Sequence, residues 1–176
     1  LAVLLVLVIL VVVILCMIFG GGSWKTPINN VMDVLNDGDG KAYEELMPPY
    51  YKDMADALDG IIDISDEDFD EEAENQRDRL TKKYGDDAEI SYEVVKKTKV
   101  DSDDIDSYNE VSDVASILSS KKAKKYKLTK AYKVKIKYTI EGEDADKTDK
   151  TTVIVGKMDG TWVLLDEGDL PISTGF

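Results

Sequence analysis

Between Tyr126 and Ile140 apolar and polar residues alternate. Tyr126, Leu128, Tyr132, Val134, Ile136, Tyr138 and Ile140 share one parity, and Lys125, Lys127, Thr129, Lys133, Lys135, Lys137 and Thr139 share the other. That alternation predicts a strand with one apolar face, about twice the usual length, which suits the central rib of a curved antiparallel sheet. After a polar turn, Glu141 to Lys150, the pattern predicts a return strand over Thr151 to Lys157. An Asp159-Gly160 pair then marks a type I′ hairpin into a last strand, Trp162 to Asp166. Ahead of the long strand, Ile90, Tyr92 and Val94 alternate as a first strand.

Helical spacing dominates the stretch before it. Ile28, Val31, Met32 and Leu35 form a stripe, with Thr26 as the expected N-cap, Pro27 at the first helical position and Asn36 to Gly40 as the stop. A second helix starts at Lys41 with Tyr43, Leu46 and Met47 inward; Pro48 and Pro49 interrupt it before Tyr50, Tyr51, Met54 and Leu58 resume the pattern. The two form a hairpin. A third helix opens on a Ser65/Asp68 capping pattern, carries acids first and bases last, and has a thin stripe, Phe69, Ala73, Leu80 and Tyr84, that predicts a surface position. Between the first and the long strand, Ile105, Tyr108, Val111, Val114 and Leu118 predict a helix within 101–120.

The first 19 residues, Leu1 to Phe19, hold no polar side chain apart from Cys16, and at about 1.5 Å per residue they reach roughly 28 Å, a bilayer's hydrocarbon thickness. A secretory signal has a shorter apolar core of about 7 to 15 residues, so the expectation is an uncleaved single-pass anchor in the cell membrane. The run opens without Met or a basic residue, so a preceding segment is expected. Gly20 to Ser23 read as a hinge, and Trp24 and Lys25 suit the headgroup level. The expected organisation is therefore a transmembrane helix over 1–19, a hinge over 20–25, an α+β domain over 26–168 and an irregular tail over 169–176. An acidic domain behind such an anchor is expected outside the cytoplasm.

Helical segments followed by a mostly antiparallel sheet, with "TPINNVMDVLNDGDGKAYEELMPPYY" at one end and "VIVGKMDGTWVLLDE" at the other, resemble the NTF2-like (cystatin-like) superfamily. More narrowly, the chain resembles the membrane-anchored extracytoplasmic domains of unknown function of Gram-positive bacteria. The resemblance covers about Thr26 to Glu167 and implies a sheet curled around helices, with a cone-shaped pocket that members use for binding, dimerisation or, in some, catalysis. The helix between the first and long strands departs from that pattern.

Charge and composition narrow the chemistry. The net charge of −14 sits wholly from Lys25 onward, which argues against a nucleic-acid partner. No histidine is present, so histidine-based nucleophile triads and most zinc sites are excluded; the single cysteine forbids an internal disulfide. The acid run Asp63 to Glu74 reads as a solvated helix start. An EF-hand-like spacing, Asp33, Asp37, Gly38 and Glu44, fails because Leu35 stands where an oxygen ligand is needed. No metal, cofactor or catalytic residue is assigned.

The candidate pocket lining is Tyr92, Tyr132, Ile136, Tyr138 and Trp162. No acid falls on the apolar parity of the long strand, so a carboxylate for proton transfer would come from Asp33, Glu44 or Glu45. Nine lysines from Lys121 to Lys137 have no acid among them, and Lys133, Lys135 and Lys137 form the candidate surface for an envelope protein, an anionic wall polymer or lipid headgroups. The expected function is a non-catalytic binding or interaction module of the cell envelope, with a homodimer as one mode of association. An isomerase- or dehydratase-type pocket enzyme on the same fold is the alternative.

Overall fold

The computed structural model describes residues 22–51, 53, 66–111 and 126–172. Its elements run α1 (Thr26–Asp37), α2 (Gly40–Leu46), α3 (Asp66–Tyr84), β1 (Glu89–Lys99), α4 (Ser102–Val111), β2 (Leu128–Glu141), β3 (Lys147–Met158) and β4 (Thr161–Asp166). The strands form one curved antiparallel sheet in the order β1-β2-β3-β4, so the fold is α+β. Among the described residues no helix is long and apolar enough to span a membrane. The expected anchor, 1–19, lies outside them, as do Ser65, Met54, Leu58, Val114 and Leu118.

Strand β2 carries the long alternation. Val134, Ile136, Tyr138 and Ile140 are fully buried on the inner face, beneath α1 and the tail. The β2–β3 ladder runs on to Ile140 opposite Lys147, so the connecting turn is shorter than the expected 141–150. At the Asp159-Gly160 hairpin both residues have positive φ, 46° and 82°, as a type I′ turn demands.

Three bulges break the ladders, one of them in β4 where Leu165 is left unpaired; the other two redirect side chains between the faces. In β1, Val94 faces Ile136 and Lys96 faces Lys135, leaving Val95 unpaired; Lys97 and Lys99 therefore turn to the inner face, opposite Val134 and Tyr132. In β2, Leu128 faces Met158 and Lys130 faces Lys157, leaving Thr129 unpaired. Leu128 consequently does not share the inner face with Val134, as its parity predicted. It joins Val100, Ile105, Ala131, Met158 and Val163 in a second, smaller core. Helix α4 supplies Ile105 to that cluster, whereas Tyr108, expected inward, is exposed.

The helices are fixed by local chemistry. Helix α1 begins at Thr26 with Lys25, not Thr26, as N-cap, because the Thr26 hydroxyl accepts from the Ser23 N–H at 3.0 Å. It ends where Gly38 takes φ 65° and donates to the Val34 carbonyl. Asp39 caps α2 by accepting from the Ala42 N–H at 3.1 Å. Helix α3 packs on α1 and α2, forming the outer layer, yet its predicted stripe of Phe69, Ala73, Leu80 and Tyr84 is buried. Arg77 on α3 donates to the carbonyls of Leu35, Ala88 and Asp86, clasping the end of α1 to the approach of β1. Residues 169–172 form neither helix nor strand, and Leu170 and Ile172 are buried in the main core; the rest of the expected tail, 173–176, lies outside the described residues.

Two predictions follow from this packing. A Cβ at Gly40 would strike the Asp70 carboxyl and lie 2.8 Å from its Cα, so Gly40→Ala should force α2 off α3 and cost about 1–3 kcal/mol in urea unfolding. Burial pushes the Tyr43 phenol up to about 12. The folded state keeps that proton where the unfolded phenol, with pKa near 10, loses it, so the resulting stability is complete below about pH 10 and falls between about pH 10 and 12. Tyr43→Phe should flatten that alkaline fall in a pH series of melting curves; an unchanged slope would refute the assignment.

Candidate functional site

The sequence-predicted pocket residues all belong to or pack against the main core, at different depths. Ile136 and Tyr138 are fully buried. The Tyr138 hydroxyl donates to the Asp169 carbonyl at 3.3 Å and accepts from Lys147 Nζ at 2.7 Å, which raises the lysine pKa. The tail segment thus closes the sheet interior where a cone-shaped pocket would open. Tyr92 is half-buried at the β1 edge, its hydroxyl donating to Asn29 Oδ1 at 2.7 Å. Tyr132 and Trp162 stack with centroids 5.4 Å apart and planes 15° apart, and Tyr92 faces Tyr138 across the β1–β2 ladder.

That stacked pair belongs to a larger cluster at the end of the sheet nearest the start of α1. Trp24 meets Tyr132 edge-on at 6.4 Å. Lys97 Nζ lies 4.6 Å from the Trp24 centroid and 4.5 Å from that of Tyr132, seated between the two rings. Lys130 sits 5.2 Å over Tyr132, and Lys25 lies 5.6 Å over Trp24. The Tyr132 phenol is held below its ordinary range, chiefly by a hydrogen bond with Lys130 and then by the charges of Lys130, Lys97 and Lys99. The β1 bulge places Lys97 here. Its sequence signal was the adjacent pair Val94-Val95, which breaks the alternation begun by Ile90 and Tyr92.

Beyond Trp162 lies an open cleft of about 490 Å³ between the α1 start, the α2 end, Pro48-Pro49 and the β3–β4 hairpin. Trp162, Tyr51, Phe69 and Met47 supply apolar walls, and Glu44 and Glu45 bring carboxylates. Asn30 on the cleft wall donates to Glu45 Oε2 at 3.1 Å. Of the three acids considered for an inward role, Glu44 and Glu45 therefore reach a cleft, and Asp33 does not line it. Leu35, the residue that spoils the EF-hand spacing, is buried, and α1 continues helical through Asp37.

Lys133, Lys135 and Lys137 share the outer face of β2 as expected. Across the ladders, Lys133 sits between Thr98 and Ile154, Lys135 between Lys96 and Thr152, and Lys137 between Glu93 and Lys150. Helix α4 covers the adjoining part of this face, so the row is bordered by a small core. No family model, curated protein or solved structure matches the chain.

The two lysine groups should behave differently. Lys97→Ala removes an ammonium seated against two rings and should cost about 0.5–1 kcal/mol in urea denaturation. Lys133→Ala, on the exposed outer face, should stay within about 0.5 kcal/mol of the parent. Equal costs would contradict the ring-seated role of Lys97.

Proposed function

We propose that the chain is a single-pass, membrane-anchored extracytoplasmic module of NTF2-like (cystatin-like) type that binds or docks and does not catalyse. The observation that carries this reading is the filled sheet interior: Ile136 and Tyr138 are fully buried, and the Tyr138 hydroxyl is taken up by Asp169 and Lys147. An isomerase-type mechanism needs an open chamber in which a buried carboxylate meets the substrate. Here the space beneath the strand tyrosines is occupied by protein.

The anchor rests on the uninterrupted apolar run Leu1 to Phe19 and the Trp24-Lys25 pair behind it. With an acidic domain tethered by a short glycine hinge, the module works close to its own membrane. Its candidate partners are an envelope protein, an anionic wall polymer or a second copy of the chain.

A second reading is favoured by one feature, the cleft walled by Trp162, Tyr51 and Phe69 with Glu44 and Glu45 beside them. Aromatic faces and carboxylates together suit a small organic cation.

Expressed in cells, the full chain should stay with the membrane after alkaline carbonate washing, and protease added to intact cells should remove the domain. A domain protected until the cells are opened would contradict the orientation. For the cleft, an organic ammonium probe should shift amide resonances of Glu44, Glu45 and Trp162 in the second reading and leave them still in the first.

A further inference from the structure

Five lysines converge on the inner face at the hinge end of the sheet. Lys97 and Lys99 arrive through the β1 bulge, Lys130 and Lys157 face each other across β2 and β3, and Lys25 follows the hinge. The cross-strand rows here read Lys99-Tyr132-Val155-Leu164 and Lys130-Lys157-Trp162, with no acid in either. Among the described residues none of the five lysines lies within ion-pair distance of a carboxylate, although the chain carries a net charge of −14. A directly opposed pair such as Lys130 and Lys157 is unfavourable by itself. Such a pair is relieved when an anion approaches.

The aromatic residues point to the kind of anion. Trp24 and Tyr132 are half-exposed, and Val94 and Val95 are exposed on β1. Amphipathic rings beside lysines are the composition of a protein surface at headgroup level, with ring bodies toward the acyl boundary and ammonium groups toward phosphates. The apolar run Leu1 to Phe19 joins the described structure at Gly22, two residues before Trp24.

From these observations we infer that the Trp24, Lys25, Lys97, Lys99, Lys130 and Tyr132 surface docks the domain onto the anionic lipid headgroups around its own anchor. This rests on the anchor reading above. The outer lysine row does not compete for that role: Glu93 stands opposite Lys137, no aromatic side chain interleaves with it, and it lies on the opposite face from Trp24. Docking would convert a domain tethered through glycines into one held at a fixed height and tilt.

The test uses the full chain in lipid nanodiscs, with Cys16→Ser and a dye on Glu110→Cys, an exposed position of α4. Time-resolved anisotropy reports the wobble of the domain. In discs containing phosphatidylglycerol the wobble should be small, and it should grow in all-phosphatidylcholine discs or when salt is raised well above about 0.1 M. Lys97→Glu/Lys99→Glu should free the domain in anionic discs. The milder Lys99→Gln, checked for an unchanged melting curve, should lower the docked-to-free ratio about fivefold. Lys133→Glu/Lys135→Glu, the same charge change on the other face, should have no effect. Release by the outer-face pair, or wobble indifferent to lipid charge, overturns the proposal, the latter leaving a protein partner for the patch. A chain that elutes apart from the discs overturns the anchor, and the proposal with it; co-elution with a freely wobbling domain overturns the docking surface alone.

Discussion

Strand β2 pairs with β1 on one edge and β3 on the other, and a slip of one residue would exchange its two faces. Val134, Ile136, Tyr138 and Ile140 would then meet solvent, and Lys133, Lys135 and Lys137 would be driven into the core. That cost holds the register, and the register places every other feature. Opposite Tyr132 it sets Lys99 and Val155; opposite Lys130 it sets Lys157. The bulges at Val95 and Thr129 are departures that the rest of the ladder tolerates. One moves lysines to the inner face, and the other moves Leu128 to the outer one.

Side-chain amides complete what the ladders leave open. Asn36 at the end of α1 donates to the Ile90 carbonyl at 3.0 Å and accepts from the Ile90 N–H at 2.7 Å, satisfying the outward edge of β1. Asn109 on α4 repeats the arrangement at Leu128, with distances of 2.9 and 2.8 Å. Each helix is thereby fastened to a strand by two hydrogen bonds read from one residue. With Arg77 gathering three carbonyls, these ties lock the helical layer to the sheet.

The sequence pattern made the sheet legible because period-two alternation records burial directly: β2, the Asp159-Gly160 hairpin and the β4 strand all stand where alternation and turn chemistry put them. The helices were legible from their stripes. Caps were less so, since whether Thr26 or Lys25 caps α1 depends on where the Thr26 hydroxyl bonds. The candidate site was legible only in its aromatic pair, Tyr132 and Trp162. Trp24 joins them from far away in sequence, and Lys97 joins through a bulge whose trace in the sequence is one interrupted alternation. The cover over Tyr138 was not legible, because Asp169, Leu170 and Ile172 supply it and irregular segments carry no periodicity that announces burial.

On the proposed reading the domain works through where it is held, with the sheet interior beneath Tyr138 filled by packing and the hinge-end surface left for contact. The most direct measurement of that account is lysine footprinting by mass spectrometry on the full chain in anionic and zwitterionic nanodiscs. Lys25, Lys97, Lys99, Lys130 and Lys157 should lose reactivity toward an acylating reagent in the anionic discs, while Lys133, Lys135 and Lys137 react equally in both. Protection of the outer row with the inner five unchanged would contradict the account.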